Sequence, residues 1–319
     1  MTSRKLVSSL AILGALLVAL ALITDALASR REAAAEAAAP PLGQLLTVNG
    51  AKVHALVKGS GPDLILLHGA SGNLRDFLPL IDRLAPRYRV TAFDRPGFGW
   101  SDPIPEGRTL KAQALQLAAA ADQLGVTNPI VLGQSYGGSV ALAWVPYAAL
   151  KPAALVLVSS PSLPWPGKLD PWYRLTATWI GQNLVIPLAA AFAPDAYVNA
   201  TISDIFAPDA APPDYLTYIG AGLTLRRQTL RINAGQVNAL RPQIVEMAQL
   251  YPQLTLPVEL IHGDADAIVP LTIHTLPLAK LLPNATLTLA QGAGHMVHHA
   301  LPDLVLAAID SAALRAGLR

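Results

Sequence analysis

The chain has 319 residues, 52% of them hydrophobic, with 23 Lys and Arg against 21 Asp and Glu. That balance lies far from core-poor disordered chains, and a net charge of +2 with no basic block argues against a nucleic-acid partner, which would demand a concentrated face of phosphate contacts. The lack of Cys excludes a disulfide framework, a thiol nucleophile, a thiolate zinc site and an Fe–S cluster.

The first element is an uncharged apolar run between Lys5 and Asp25. As a helix it spans about 28 Å, close to the hydrocarbon thickness of a bilayer, and the sequence predicts a membrane anchor. Ala26-Leu27-Ala28 also offers a small-residue cleavage site, so a signal segment removed after Ala28, giving a secreted or periplasmic product, stays open. Arg4, Lys5 and the terminal amine precede the run, whereas Arg30 and Arg31 follow it with Glu32 and Glu36, so the expected orientation leaves the N-terminus cytoplasmic and the remainder exported. Ser29 to Pro41, rich in Ala, Glu and Arg, is expected to be a tether, making 1–41 an anchor or signal segment plus linker.

Past Gly43, short β-type runs alternate with helical patterns, predicting an α/β fold with a mostly parallel sheet covered by helices. Strands are expected at 44–49, 52–58, 63–67, 88–93, 129–133, 153–159, 257–262 and 285–289, with Asn49-Gly50 joining the first two as a hairpin. Helices are expected near 73–84, 109–124, 136–148, 271–282 and 302–316. From 161 to 250 the alternation stops and Pro-punctuated helical pieces take over, dividing the chain into a core of 42–160 and 251–319 and an insertion of 161–250. The insertion holds half of the chain's aromatic side chains, among them Trp165, Trp172 and Trp179, and is expected to supply the apolar wall of a pocket.

The chemistry-bearing residues fall at strand ends. After PIVLG comes Gly133-Gln134-Ser135-Tyr136-Gly137 and then a helical run, the G-x-S-x-G pattern in its strand-turn-helix setting, with Ser135 as nucleophile. His68-Gly69-Ala70 follows another strand, and its backbone can face the nucleophile, so the N–H groups of Ala70 and Tyr136 are the expected oxyanion donors, His68 itself being structural. The turn Asp94 to Asp102 is assigned a structural role. Near the C-terminus, PVELIH leads to Asp264 and Asp266, and ATLTL leads to His295, giving the chain order Ser, Asp, His. Of the two acids, Asp264 sits in a turn position and Asp266 further along the loop, and Asp266 is expected to pair with His295. His298 and His299 lack the spacing of a helical zinc motif, and no metal site is expected.

As a set, LHGASGN at 67–73, DRPGFGWSD at 94–102, GQSYGG at 133–138, HGDADAIVP at 262–270 and GAGH at 292–295 resemble the α/β-hydrolase fold superfamily over about 45–316. The resemblance implies an eight-stranded, mainly parallel sheet, a helical cap inserted after the strand at 153–159, and a triad of Ser135, Asp266 and His295. It sets the chain apart from relatives that use Asp as nucleophile, and Ser159-Ser160 stands where some relatives carry the acid. The expected activity is serine-dependent hydrolysis of apolar carboxylic esters without a cofactor, on a small-molecule acyl substrate. C–C bond hydrolysis, lactone opening, acyl transfer and perhydrolysis use the same triad, and a membrane-tethered binding protein with weak turnover is the non-enzymatic alternative.

Overall fold

The computed structural model describes residues 2–319. Side chains are described from Val7 on, so Arg4, Lys5 and the terminal amine, on which the expected orientation rests, lie outside the described set. Eight strands form one sheet: β1 (Gln44–Val48), β2 (Ala51–Lys58), β3 (Asp63–Leu67), β4 (Arg89–Phe93), β5 (Ile130–Gln134), β6 (Ala154–Val158), β7 (Val258–Gly263) and β8 (Ala285–Ala290). Their order is β1-β2-β4-β3-β5-β6-β7-β8, with β1–β2 and β2–β4 antiparallel and every later pair parallel. Asn49 and Gly50, both at positive φ, close the opening hairpin as their sequence predicts.

Successive side chains of a strand point to opposite faces, so the central strands supply two cores. Ile65, Leu67, Val131, Leu155 and Leu157 pack against Leu117 of α3 (Leu110–Gln123) and Trp144 of α4 (Tyr136–Tyr147), which follows the first N-terminal helices α1 (Thr2–Ala38) and α2 (Leu78–Leu84) in the chain. Leu64, Leu66, Ile130, Leu132, Val156 and Val158 face the other way, toward Leu80 of α2 and the C-terminal helix. Because β3 and β5 to β8 run in parallel, the loops leaving their C-terminal ends gather along one edge.

Between β6 and β7 the chain is helical: α5 (Pro171–Thr176), a π-type turn at Gly181–Val185, α6 (Ile186–Phe192), α7 (Asp195–Phe206), α8 (Tyr215–Ile219), α9 (Ala221–Thr224) and the long α10 (Arg227–Ala248). After β7 come α11 (Thr275–Leu281), α12 (Val297–Ala300) and α13 (Pro302–Arg315).

The expected tether is overturned. Residues 29–38 continue α1 without a break. Ala, Glu and Arg are strong helix formers, and Glu32 and Glu36 find Arg227 and Arg226 of the insertion at 2.8 and 3.0 Å. Ala28 is fully buried against Ala190 and Ala191 of α6. Composition alone had suggested a linker because these partners lie almost two hundred residues away in sequence.

Candidate active site

Ser135 joins β5 to α4 with φ 49° and ψ −125°, a left-handed backbone that costs a non-glycine residue about 1–3 kcal/mol and holds only when its surroundings impose it. Here they do. The Ser135 N–H donates to the Val158 carbonyl at 2.8 Å, and its own carbonyl accepts from Gly138 N–H at 2.9 Å. A Cβ on Gly137 would be driven into the Leu67 carbonyl, so glycine lets the helix start press directly on the end of β3. Ser135 is half-buried between the buried Gln134 and Tyr136, open to an incoming molecule.

Two neighbouring strands deliver the partners of an acid and a base. His295 Nδ1 lies 2.8 Å from Asp266 Oδ2, and both side chains are essentially buried. The other oxygen, Oδ1, accepts from the N–H groups of Ile268 and Val269, each at 2.9 Å. His262 Nε2 reaches the same Oδ2 at 3.1 Å and also the Val269 carbonyl at 2.7 Å, while its Nδ1 meets Thr275 Oγ1 at 2.6 Å. Burial pushes the Asp266 carboxyl upward, but bonds from His262, His295 and the Val269 N–H outweigh it and hold the acid well below the usual carboxylate range. Sequence reasoning missed His262, although its place four residues before Asp266 on the same strand end was a usable signal.

His295 sits in a loop that the insertion clamps. Gly294 N–H donates to Asp209 at 2.8 Å, and a Cβ on Gly294 would strike the Ala207 carbonyl. Among the described residues no hydrogen bond joins the Ser135 hydroxyl to His295 Nε2; catalytic hydrogen bonds of this kind are commonly loose until substrate binds.

The His68-Gly69-Ala70 loop packs onto the elbow, with 3.0 Å between a Cβ built on Gly69 and that of Ser135. His68 is fully buried; it accepts from the Arg95 N–H on Nε2 at 2.9 Å and faces the Gly69 carbonyl with Nδ1 at 2.8 Å. Burial, reinforced by the Arg95 charge, lowers its pKa to about 3, so the ring is neutral and acts as a loop brace, as the sequence predicts. Arg95, expected only to shape a turn, does more. Its buried guanidinium donates to the carbonyls of His68 (2.9 Å) and Gly69 (3.0 Å) and to the amide oxygens of Gln113 (2.7 Å) and Gln236 (2.6 Å). It also lies between the rings of Tyr136 (4.4 Å) and Phe98 (4.5 Å). The Gly69 carbonyl and the Ala70 N–H belong to one peptide unit, so the cation polarises that N–H. Burial lowers Arg95 only to about 10, leaving it charged at neutral pH.

The remaining predicted residues separate. Asp264 is exposed and accepts from Gly292 N–H at 2.7 Å, pinning β8's exit rather than touching His295. His298 and His299 turn to Asp76, at 3.0 and 2.9 Å, which also accepts from Tyr215 of the insertion at 2.7 Å. Trp165 packs edge-on against His274, 5.8 Å between ring centres. Trp179 is 78% exposed, so the expectation that it walls a pocket is corrected: it lies between α5 and the Gly181–Val185 turn with its side chain in solvent. Phe206, Tyr215 and Ile219 form a small core of the insertion itself with Met296. A cleft of about 740 Å³ lies between the 96–108 loop and the insertion, and Ser135, Asp266 and His295 are not among its lining residues.

Comparison with known proteins shows the family to which this fold belongs. Residues 62–300 match the family model of the alpha/beta hydrolase fold. The magnesium-chelatase 30 kDa subunit of Rhodobacter capsulatus is 29% identical over 76% of this chain and 84% of its own length. The pimeloyl-[acyl-carrier protein] methyl ester esterase of Shewanella sp. (strain MR-7) is 30% identical over 77% of this chain and 90% of its own. Among solved structures, a membrane phospholipase A described as a bacterial virulence factor shares the fold at TM-score 0.68 and 19% identity, over 98% of this chain and 99% of that one. With an eight-stranded sheet in this order and a family match across three quarters of its length, the chain belongs to the alpha/beta hydrolase fold family and is a hydrolase.

Proposed function

We propose that the protein is a serine hydrolase of apolar carboxylic esters, anchored to a membrane by α1. The observation that carries this reading is the strained Ser135 at the head of α4, on the same sheet edge as the buried Asp266–His295 pair. Ser135 Oγ attacks the ester carbonyl and its proton passes to His295 Nε2; the carbonyl oxygen takes the negative charge, held by the N–H groups of Ala70 and Tyr136. Collapse breaks the C–O bond, His295 gives the proton to the departing alcohol, and water then repeats the sequence on the acyl-enzyme. Asp266, ionised throughout, keeps the Nδ1–H tautomer and stabilises the imidazolium. The residues form a complete set for this chemistry, and no step asks for a metal or cofactor.

The acyl-ester class is supported by the methyl ester esterase relative, and we read the insertion between β6 and β7 as a cap over the site. The anchor reading is supported by α1, whose apolar stretch has a mean hydropathy of 2.5. A panel of esters graded in acyl length, with a lactone and a charged ester beside them, tests the reading. Turnover that rises with acyl length and is weak for the charged ester supports it; preference for the charged ester contradicts it.

A further inference from the structure

The insertion exposes a run of large apolar side chains: Leu175 by 44%, Trp179 by 78%, Ile180 by 55% and Leu184 by 56%. They cluster from the end of α5 into the turn at Gly181–Val185, a concentration of apolar surface that water does not favour. Their position relative to α1 gives them a partner.

The side chains of α1 from Val7 to Ile23 are exposed, a length of about 25 Å; burial begins at Thr24, and Asp25 pairs with Arg227 of the insertion. Ala28 packs on Ala190 and Ala191, and Arg31, further along, donates to the carbonyls of Ala191 and Ala193 at 3.1 and 2.9 Å. Rising numbers in α1 therefore meet rising numbers in α6, and the two helices run parallel. The free apolar half of α1 departs from the N-terminal end of α6, the end that continues directly from the Gly181–Val185 turn. α10 gives the same placement independently. Arg227 binds Asp25 and Glu32 of α1, and Arg231, one helical turn on, donates to the Gln182 carbonyl at 3.0 Å. The apolar turn and the exit of the spanning helix are thus side by side.

We infer that residues 175–185 form a second membrane contact, a cap edge that lies in the surface of the phospholipid bilayer crossed by α1. A Trp beside aliphatic side chains with the exposed Arg174 on the same segment suits the headgroup boundary, where aromatic and basic residues settle. The 740 Å³ cleft opens at this edge: Ala177 and Gln182 line it on one side, Pro96, Pro103 and Ile104 on the other. The exposed apolar surface beside α1 deepens the proposed function, on which it rests: the substrate class is an acyl ester dissolved in the bilayer, taken up from the lipid phase rather than from water.

The chain has no Cys, so one introduced thiol can be labelled uniquely. Full-length protein in nanodiscs of phosphatidylcholine and phosphatidylglycerol would carry a nitrobenzoxadiazole dye on Leu184→Cys or, as reference, on Lys151→Cys, in the loop before β6. Lipids bearing a spin label near the headgroup should quench the dye at 184 about fivefold more than at 151, as expected for a side chain at the acyl boundary. In a second arm, Trp179→Ser with Leu184→Ser should lower hydrolysis of a bilayer-held long-chain ester about tenfold while leaving a soluble short-chain ester within about twofold. Equal quenching at the two positions, or equal loss on both esters, overturns the inference. A wild-type protein that cleaves neither ester defeats the hydrolase reading, and the quenching comparison still decides the surface on its own.

Discussion

Asp266 and His295 meet at 2.8 Å, with the second oxygen of Asp266 fixed by two backbone N–H groups, so the carboxylate can neither rotate away nor take a proton at neutral pH. Of the two nearby acids only Asp266 touches His295, and the proposed mechanism assigns it the orienting role. Asp266→Asn should lower kcat by about 10⁴-fold through the wrong imidazole tautomer, whereas Asp264→Asn, which loses only the bond to Gly292, should change kcat by about tenfold or less. Purified variants with thermal melts decide it; a folded Asp266→Asn enzyme of near-normal kcat would remove the acid from the mechanism.

Arg95 is buried with four oxygen acceptors around it and no carboxylate among its hydrogen-bond partners. A Lys ammonium cannot reach all four, and each buried acceptor left empty costs about 1–3 kcal/mol. Arg95→Lys should therefore lose about 2–4 kcal/mol of stability in denaturant titration, with kcat falling more than KM rises because the Gly69–Ala70 peptide loses its polarising partner. Unchanged stability would show that the guanidinium network contributes little.

The buried, neutral His68 makes stability depend on pH. Its folded pKa, lowered to about 3, lies below the value of the unfolded chain, so as pH drops below about 6.5 the unfolded state takes up a proton first and stability falls. That loss continues until the folded pKa is reached. The expected contribution is about 1.4 kcal/mol per pH unit, or about 2 kcal/mol between pH 6.5 and 5. Asp76 and Asp266, both held below the usual carboxylate range, act later: their contribution is full above the unfolded carboxylate pKa near 4 and is lost as pH falls through their folded values. Urea titrations from pH 7 to 4 on wild type and His68→Asn test this, the variant losing about one proton's worth of slope above pH 4.5. Parallel curves would place the proton uptake elsewhere.

Gly137→Ala offers a steric test of the elbow. The added methyl meets the Leu67 carbonyl, backbone that cannot yield without moving β3, and the expected loss is about 3 kcal/mol or more, with activity falling in the fraction that still folds. Wild-type melting and turnover would mean the elbow is looser than its packing indicates.

The fold, the Ser135 turn and the pairing of Asp266 with His295 were legible because they depend on local patterns. β5 is five buried residues followed by the sharp turn at Ser135 and a helix, and the sequence displays all three in a row. The order of Ser135, Asp266 and His295 is likewise a property of the chain alone. What stayed hidden depends on distant partners. The 29–38 segment reads as a linker until Arg226 and Arg227 are seen beside it. Arg95 looked like turn furniture because Gln113 and Gln236, which receive its hydrogens, are uncharged and far along the chain. Trp179 looked like a pocket wall because composition records that an aromatic is present and not which way its side chain points.

If Ser135 is the nucleophile, it reacts with an organophosphonate that mimics the tetrahedral intermediate. Incubation of the full-length protein followed by peptide mass spectrometry should place one adduct on Ser135, with esterase activity lost in step with labelling and neither seen in Ser135→Ala. An adduct on another residue, or a Ser135→Ala protein that hydrolyses esters at the wild-type rate, would contradict the account.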